Sequence, residues 1–105
     1  MFEVTYNGQL EEKPITEVFT QFFEKSLETD PDVAYIDADL MALIGVRDIA
    51  KKYPERVFNT GIMESNMIGM AAGLSLNGMK PYVHSFAAFV ARRAYDQIFL
   101  SGAYA

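Results

Sequence analysis

The apolar positions of this chain switch between two rhythms. Ile15, Val18, Phe19, Phe22, Phe23 and Leu27 recur at three- and four-residue steps, which predicts a helix with one apolar stripe, stopped by Thr29, Asp30 and Pro31. Val33-Ala34-Tyr35-Ile36-Asp37 is short, apolar and bounded by turn residues, the pattern of a buried strand. Asp39 to Ile44 reads as a loop or short turn, and Val46 to Tyr53 as a helix ended by Pro54. Arg56 to Asn59 reads as a second strand. Met63 to Leu76 is the strongest helix, with Asn77-Gly78 as a left-handed C-cap. Pro81 to Ser85 reads as a third strand, its proline at the first position, where a missing N–H costs least. Ala88 to Tyr104 returns to helix, with Val90, Ala94, Ile98 and Gly102 on one side.

Helices alternating with strands in this way predict an α/β fold, a parallel sheet of βα units with helices on both faces. Right-handed crossovers bring all strand carboxyl ends to one edge, where ligands of such sheets bind. That edge carries Asp37-Ala38-Asp39, Gly61-Ile62-Met63-Glu64 and Ser85-Phe86-Ala87-Ala88-Phe89. The last helix still reads as ongoing at Ala105. The expectation is therefore a partial domain over residues 1–105, with 1–14 as an N-terminal arm.

Composition narrows the chemistry. The chain has 105 residues, half of them apolar, and a net charge of −5, with no basic run longer than a pair, so nucleic acid is not the expected partner. It contains no cysteine and one histidine, His84, which excludes disulfides, thiol nucleophiles and cysteine-bound metal. The start lacks the basic-then-apolar pattern of a secretory leader, and the apolar run Met67 to Leu76 is too short to span a bilayer. A cytoplasmic setting without membrane contact is the expectation.

Several residues at the ligand edge have two readings. Glu64, in the first turn of its helix, gains about 0.3–1 kcal/mol from the helix dipole as a plain helix-end charge. Alternatively, its apolar neighbours Ile62, Met63, Met67 and Ile68 desolvate it, raise its pKa and fit it to exchange a proton with a ligand nitrogen. Phe86 and Phe89 are either core residues or the walls of a slot for a flat heterocycle. Arg92 and Arg93 read as a solvated face with an Arg93–Gln97 contact, or as a reach toward an anionic ligand group. His84 reads as a structural strand histidine or, beside the site, as a substrate contact, and Asp37 and Asp39 as solvated loop acids or weak metal candidates. Gly69 and Gly73 cost about 1 kcal/mol each inside a helix, which calls for tight packing on its own sheet or on another subunit. There is no Gly-x-Gly-x-x-Gly, no Walker-type Gly-Lys-Ser/Thr, and no Gly-Asp-Gly with a downstream Asn.

Three blocks resemble the pyrimidine-binding domain of thiamine-diphosphate enzymes of the transketolase type. They are Asp37-Ala38-Asp39-Leu40, the run Asn59 to Leu74 containing Gly61-Ile62-Met63-Glu64-Ser65-Asn66-Met67, and Ser85 to Ile98 containing Phe86-x-x-Phe89-x-x-Arg92-Arg93-Ala94-Tyr95-Asp96-Gln97. The chain resembles the separate C-terminal subunit of a split transketolase more closely than a full-length one. The resemblance implies thiamine diphosphate as cofactor and Glu64 as the catalytic glutamate that hydrogen-bonds N1′ of its aminopyrimidine. Proton exchange there activates the cofactor's thiazolium carbon. It further implies Phe86 and Phe89 as pocket walls, Asp39 as a nearby aspartate, and Arg92 at a position where full-length relatives tend to carry an aromatic.

The diphosphate and its magnesium would be held by a partner, the N-terminal transketolase subunit, in a homo- or hetero-oligomer that moves a two-carbon ketol unit between sugar phosphates. A 1-deoxyxylulose-5-phosphate synthase-like role and a 2-oxo acid dehydrogenase E1 β-like role are the enzyme alternatives. A non-catalytic α/β dimerisation module, built on the small-residue helix, is the alternative of another class.

Overall fold

The computed structural model describes residues 8, 9 and 12–104. Of the arm expected at 1–14, residues 8, 9 and 12–14 carry neither helix nor strand, and the remainder lies outside the described residues. The elements that follow are α1 (Ile15–Thr29), β1 (Val33–Asp37), α2 (Met41–Ile44), α3 (Arg47–Lys52), β2 (Val57–Asn59), α4 (Glu64–Leu76) and β3 (Lys80–His84). After β3 come a π-helical turn, Phe89–Arg93, a single α-helical turn α5 (Tyr95–Gln97), and a second π-helical stretch, Ile98–Tyr104. No helix among the described residues is long and apolar enough to cross a membrane.

The three strands form a parallel sheet in the order β2-β1-β3, with Tyr35 opposite Val57 on one side and Tyr82 on the other. All five residues of β1 are buried, as a central strand covered on both faces requires. Its alternation sorts the core. Val33 and Tyr35 join Phe23 and Leu27 of α1, Ile49 of α3 and Val57 of β2 in one cluster. Ile36 faces the other way, and with Ala38 it packs on Met67 of α4, flanked by Val83 and Val90. The α/β architecture with helices on both faces is thus as the sequence predicts.

The chain leaves β1 for β2 on one side and then returns past β1 to β3. With right-handed crossovers this reversal puts α3 and α4 on opposite faces. It also opens a crevice at the strand carboxyl ends, where the connections after β1 and β3 diverge.

Local details depart from the pattern in instructive places. The stretch read as a loop at Asp39 to Ile44 contains α2, closed by Gly45 at φ +84°. α4 ends as predicted. Gly78 (φ +89°) donates its N–H to the Ser75 carbonyl and Met79 donates to Leu74, the double bond of a Schellman cap. Pro81 is the second residue of β3, not the first, and it is tolerated on what is an edge strand of this sheet.

The final helix is not continuous. Ala94, at φ −106° and ψ 12°, breaks it, and Ser65 of α4 donates its hydroxyl to the Arg93 carbonyl at 3.0 Å. On the side read as one face, Ala94 is buried, whereas Ile98 is 37% exposed. Gly69 and Gly73 have open space where a Cβ would stand, so tight packing on their own sheet does not explain them.

Candidate functional site

Three connections meet at the carboxyl edge, and hydrogen bonds set their positions. The Asn59 side chain, at the end of β2, accepts the backbone N–H groups of Asp39 (3.0 Å) and Gly61 (2.9 Å) and donates to the Asp39 carboxylate (3.1 Å). It holds Asp39 at φ +65°, a left-handed conformation that aspartate tolerates better than most residues. Thr60 donates through its N–H and hydroxyl to the Asp37 carbonyl, at 2.9 and 3.1 Å. Gly61, at φ +73°, then turns the chain into α4, whose first residue is Glu64.

Glu64 is buried, with 2% of its surface exposed. Its Oε1 accepts the Ser85 hydroxyl at 3.2 Å and its Oε2 accepts Arg93 Nη1 at 2.8 Å. It therefore fits neither sequence reading. It is more than a helix-end charge, because it lies inside the protein. Yet its pKa is lowered, not raised as apolar surroundings alone would require. Its own backbone N–H is the largest cause, and the Arg93 guanidinium and the Ser85 hydroxyl add to it, together outweighing desolvation. The carboxyl is a sheltered anion.

Glu64, Asp39, Phe86 and Phe89 line one small cavity of about 80 Å³, completed by Ala38, Leu40, Ile62 and Ser85. The Phe86 and Phe89 rings stand edge to face with centroids 5.8 Å apart, and both are substantially exposed, at 50% and 38%. They are walls of an opening and not core. Four of the five residues predicted for the site thus share one pocket. The fifth, Arg92, does not. It borders a separate depression with Ala88, Phe89 and Arg93.

The arginine at the site is its neighbour. Arg93 pairs with Glu64, and its guanidinium carbon lies 4.3 Å from the centroid of the Phe89 ring, so the expected Arg93–Gln97 contact gives way to this one. Arg93 stands four residues after Phe89 within a wider, π-helical turn, and it, not Arg92, lies over the ring. Ser85 is at the ligand edge in the sequence reading and Asn59 ends its second strand, but the sequence assigns neither a contact.

Asp37 and His84 answer differently. Asp37 is fully buried, not solvated in a loop. Tyr35 donates its hydroxyl to Oδ2 at 2.9 Å, His84 Nδ1 lies 2.9 Å from the same oxygen, and the Leu40 N–H donates to Oδ1. Burial, then the charge of Asp37 and its hydrogen bond, push the Tyr35 phenol upward, so it stays a donor. His84 is the structural histidine expected. Among the described residues no group of three metal-ligating side chains comes together, so the weak metal reading of Asp37 and Asp39 has no third ligand.

Known proteins resemble this chain over most of its length. Residues 11–104 match the family described as the transketolase pyrimidine binding domain. The 6-deoxy-6-sulfo-D-fructose transketolase subunit SqwH of a Clostridium species is 40% identical over 100 residues, which is 95% of this chain and 31% of that protein. The 1-deoxy-D-xylulose-5-phosphate synthase of Desulfitobacterium hafniense is 36% identical over 95 residues, covering 87% of this chain and 15% of the synthase. A solved structure described as a split gene transketolase, inactive beta4 tetramer, superposes with a TM-score of 0.71 at 40% identity, covering 81% of this chain and 28% of that one. The chain spans about a third or less of each of these relatives. It belongs to the transketolase pyrimidine-binding domain family.

Proposed function

We propose that this chain supplies the pyrimidine-binding half of a thiamine-diphosphate site for two-carbon ketol transfer between sugar phosphates. The observation that carries the reading is a buried carboxylate, Glu64, on the wall of a pocket that also holds two phenyl rings. Such a pocket suits a flat ring that carries N–H and ring nitrogen on one edge. Glu64 engages the nitrogen edge and moves a proton at N1′, Phe86 and Phe89 exclude water and contact the ring face, and Asp39 lies across the opening. Thiamine diphosphate, when bound, supplies the carbon nucleophile.

The rest of that cofactor finds no holder here. A cavity of about 80 Å³ is well below the roughly 300–1,000 Å³ of a complete small-molecule site. Among the described residues no acidic cluster offers a magnesium site. The diphosphate, its metal and the sugar-phosphate grip therefore fall to a partner, for which an N-terminal transketolase subunit is the natural candidate. The 40% identity to a transketolase subunit favours ketol transfer over deoxyxylulose-phosphate synthesis, whose relatives are 33–36% identical.

The test is turnover of the chain assembled with such a partner. Glu64→Gln keeps the shape and removes the ionisable carboxylate, and it is expected to lower ketol transfer by about 10²–10⁴-fold, the usual worth of general acid–base catalysis. Transfer within threefold of wild type rejects the assignment.

A further inference from the structure

The arginine that the sequence reading left without a role is the most specific contact Glu64 makes. We propose that Arg93 is a positioning residue that holds Glu64 as an oriented anion, so that one edge of the carboxylate is already aimed when the aminopyrimidine arrives; this rests on the thiamine-diphosphate reading above. The geometry is specific at both ends of Arg93. Its carbonyl accepts the Ser65 hydroxyl at 3.0 Å, a bond made available by the helix break at Ala94. Its guanidinium spans Glu64 Oε2 at 2.8 Å and the Phe89 ring at 4.3 Å. Arg93 is thereby tied to both the acid and one of the rings of the pocket while lining none of it.

Arg93 and Glu64 together border a second depression, with Met63 and Asn66, that Asp39, Phe86 and Phe89 do not line. The cation thus meets the carboxylate without lining the cavity between the rings. Ser85 fixes the other oxygen from the strand side. A carboxylate oxygen accepts more than one donor, so the pocket-facing positions remain open to a ligand N–H while the side chain cannot rotate away. The same contact makes Glu64 an acceptor in the empty site, and the proton for the ring nitrogen must then enter with the ligand or from solvent.

The other charged groups near Glu64 are few. Asp39 lies across the pocket and is bonded to Asn59. Arg92 stands beside Arg93 and is exposed. Asp37 and His84 at the strand ends are paired with each other. None of these is bonded to the Glu64 carboxylate, so Arg93 is the neighbouring charge that holds its pKa down, beside the larger effect of its own backbone N–H, which every variant keeps.

The experiment follows the Glu64 side-chain carboxyl by carbon-13 NMR across pH in the full chain, without cofactor. Arg93→Met is expected to raise its midpoint by at least one pH unit, the usual effect of removing an opposite charge at contact. Arg93→Lys should restore most of the shift, and Arg92→Met, which removes the same charge one residue away, should move it by less than 0.3 unit, roughly the scale of a solvent-screened neighbour. Equal shifts for the Arg92 and Arg93 variants overturn the proposal. If Arg93→Met does not fold, the polar, uncharged Arg93→Gln takes its place with the same expected rise, and an unchanged midpoint in that variant overturns the proposal. Thiamine diphosphate is then added to the assembled complex. Failure of wild type to bind it sinks the site reading but leaves the titration result standing.

Discussion

Two carboxylates are buried at the same sheet edge, and they have opposite fates. Asp37 ends β1 on the face covered by α1, and every oxygen it has is used by its own neighbours, the Tyr35 hydroxyl, His84 and the Leu40 N–H. Glu64 begins α4 on the other face, carries two donors, and borders a cavity walled by aromatic rings. Burial alone does not separate structural acids from chemical ones. What separates them is whether the surroundings close every acceptor position or leave some turned toward open space.

Breaking each acid therefore has a different signature. Asp37→Ala strands the buried Tyr35 hydroxyl and frees the Leu40 turn, which should lower folding stability by roughly 2–4 kcal/mol. Chemical denaturation measures this. Glu64→Gln keeps an acceptor for Arg93 and a donor for Ser85, so it should cost less folding stability than Asp37→Ala, while turnover collapses. If the Glu64 variant proved the less stable of the two, the comparison would be reversed and Glu64 would be the structural acid.

A smaller effect sharpens the same contrast through pH. The folded-state pKa of Glu64 lies below its unfolded one, so its contribution is fully present above the ordinary glutamate range. It is lost as pH falls through the lowered folded value. Thermal melts of wild type and Glu64→Gln, compared from about pH 6 downward, should converge as acidity rises. Curves that stay parallel would mean that Arg93 and the helix terminus do not hold the carboxylate in solution.

Much of this was legible in the residues themselves. Period-four spacing placed α1, the all-apolar run placed β1, and Asn77-Gly78 placed the end of α4 to the residue. Once three strands are parallel, their carboxyl ends must share an edge, and that brought Asp39, Glu64, Phe86 and Phe89 together on paper before any coordinates did. The misses come from contacts that spacing does not encode. The segment after Phe86 winds as a π-helix broken at Ala94, and it is Arg93, not Arg92, that meets Glu64 and the Phe89 ring. The apolar neighbours of Glu64 are visible in the sequence, whereas the backbone N–H and the guanidinium that hold its pKa down are features of the folded chain. Asp37 was misplaced because its three donors come from Tyr35, Leu40 and His84, residues two, three and forty-seven positions away.

The central claim is a contact between one carboxylate and one heterocycle. A structure of this chain assembled with a partner that holds the diphosphate, determined with thiamine diphosphate bound, tests it most directly. The account predicts the N1′ edge of the aminopyrimidine within hydrogen-bond distance of Glu64, with Phe89 against the ring and Arg93 still on the far carboxylate oxygen. An aminopyrimidine seated elsewhere, with Glu64 touching only Arg93 and Ser85, would contradict it.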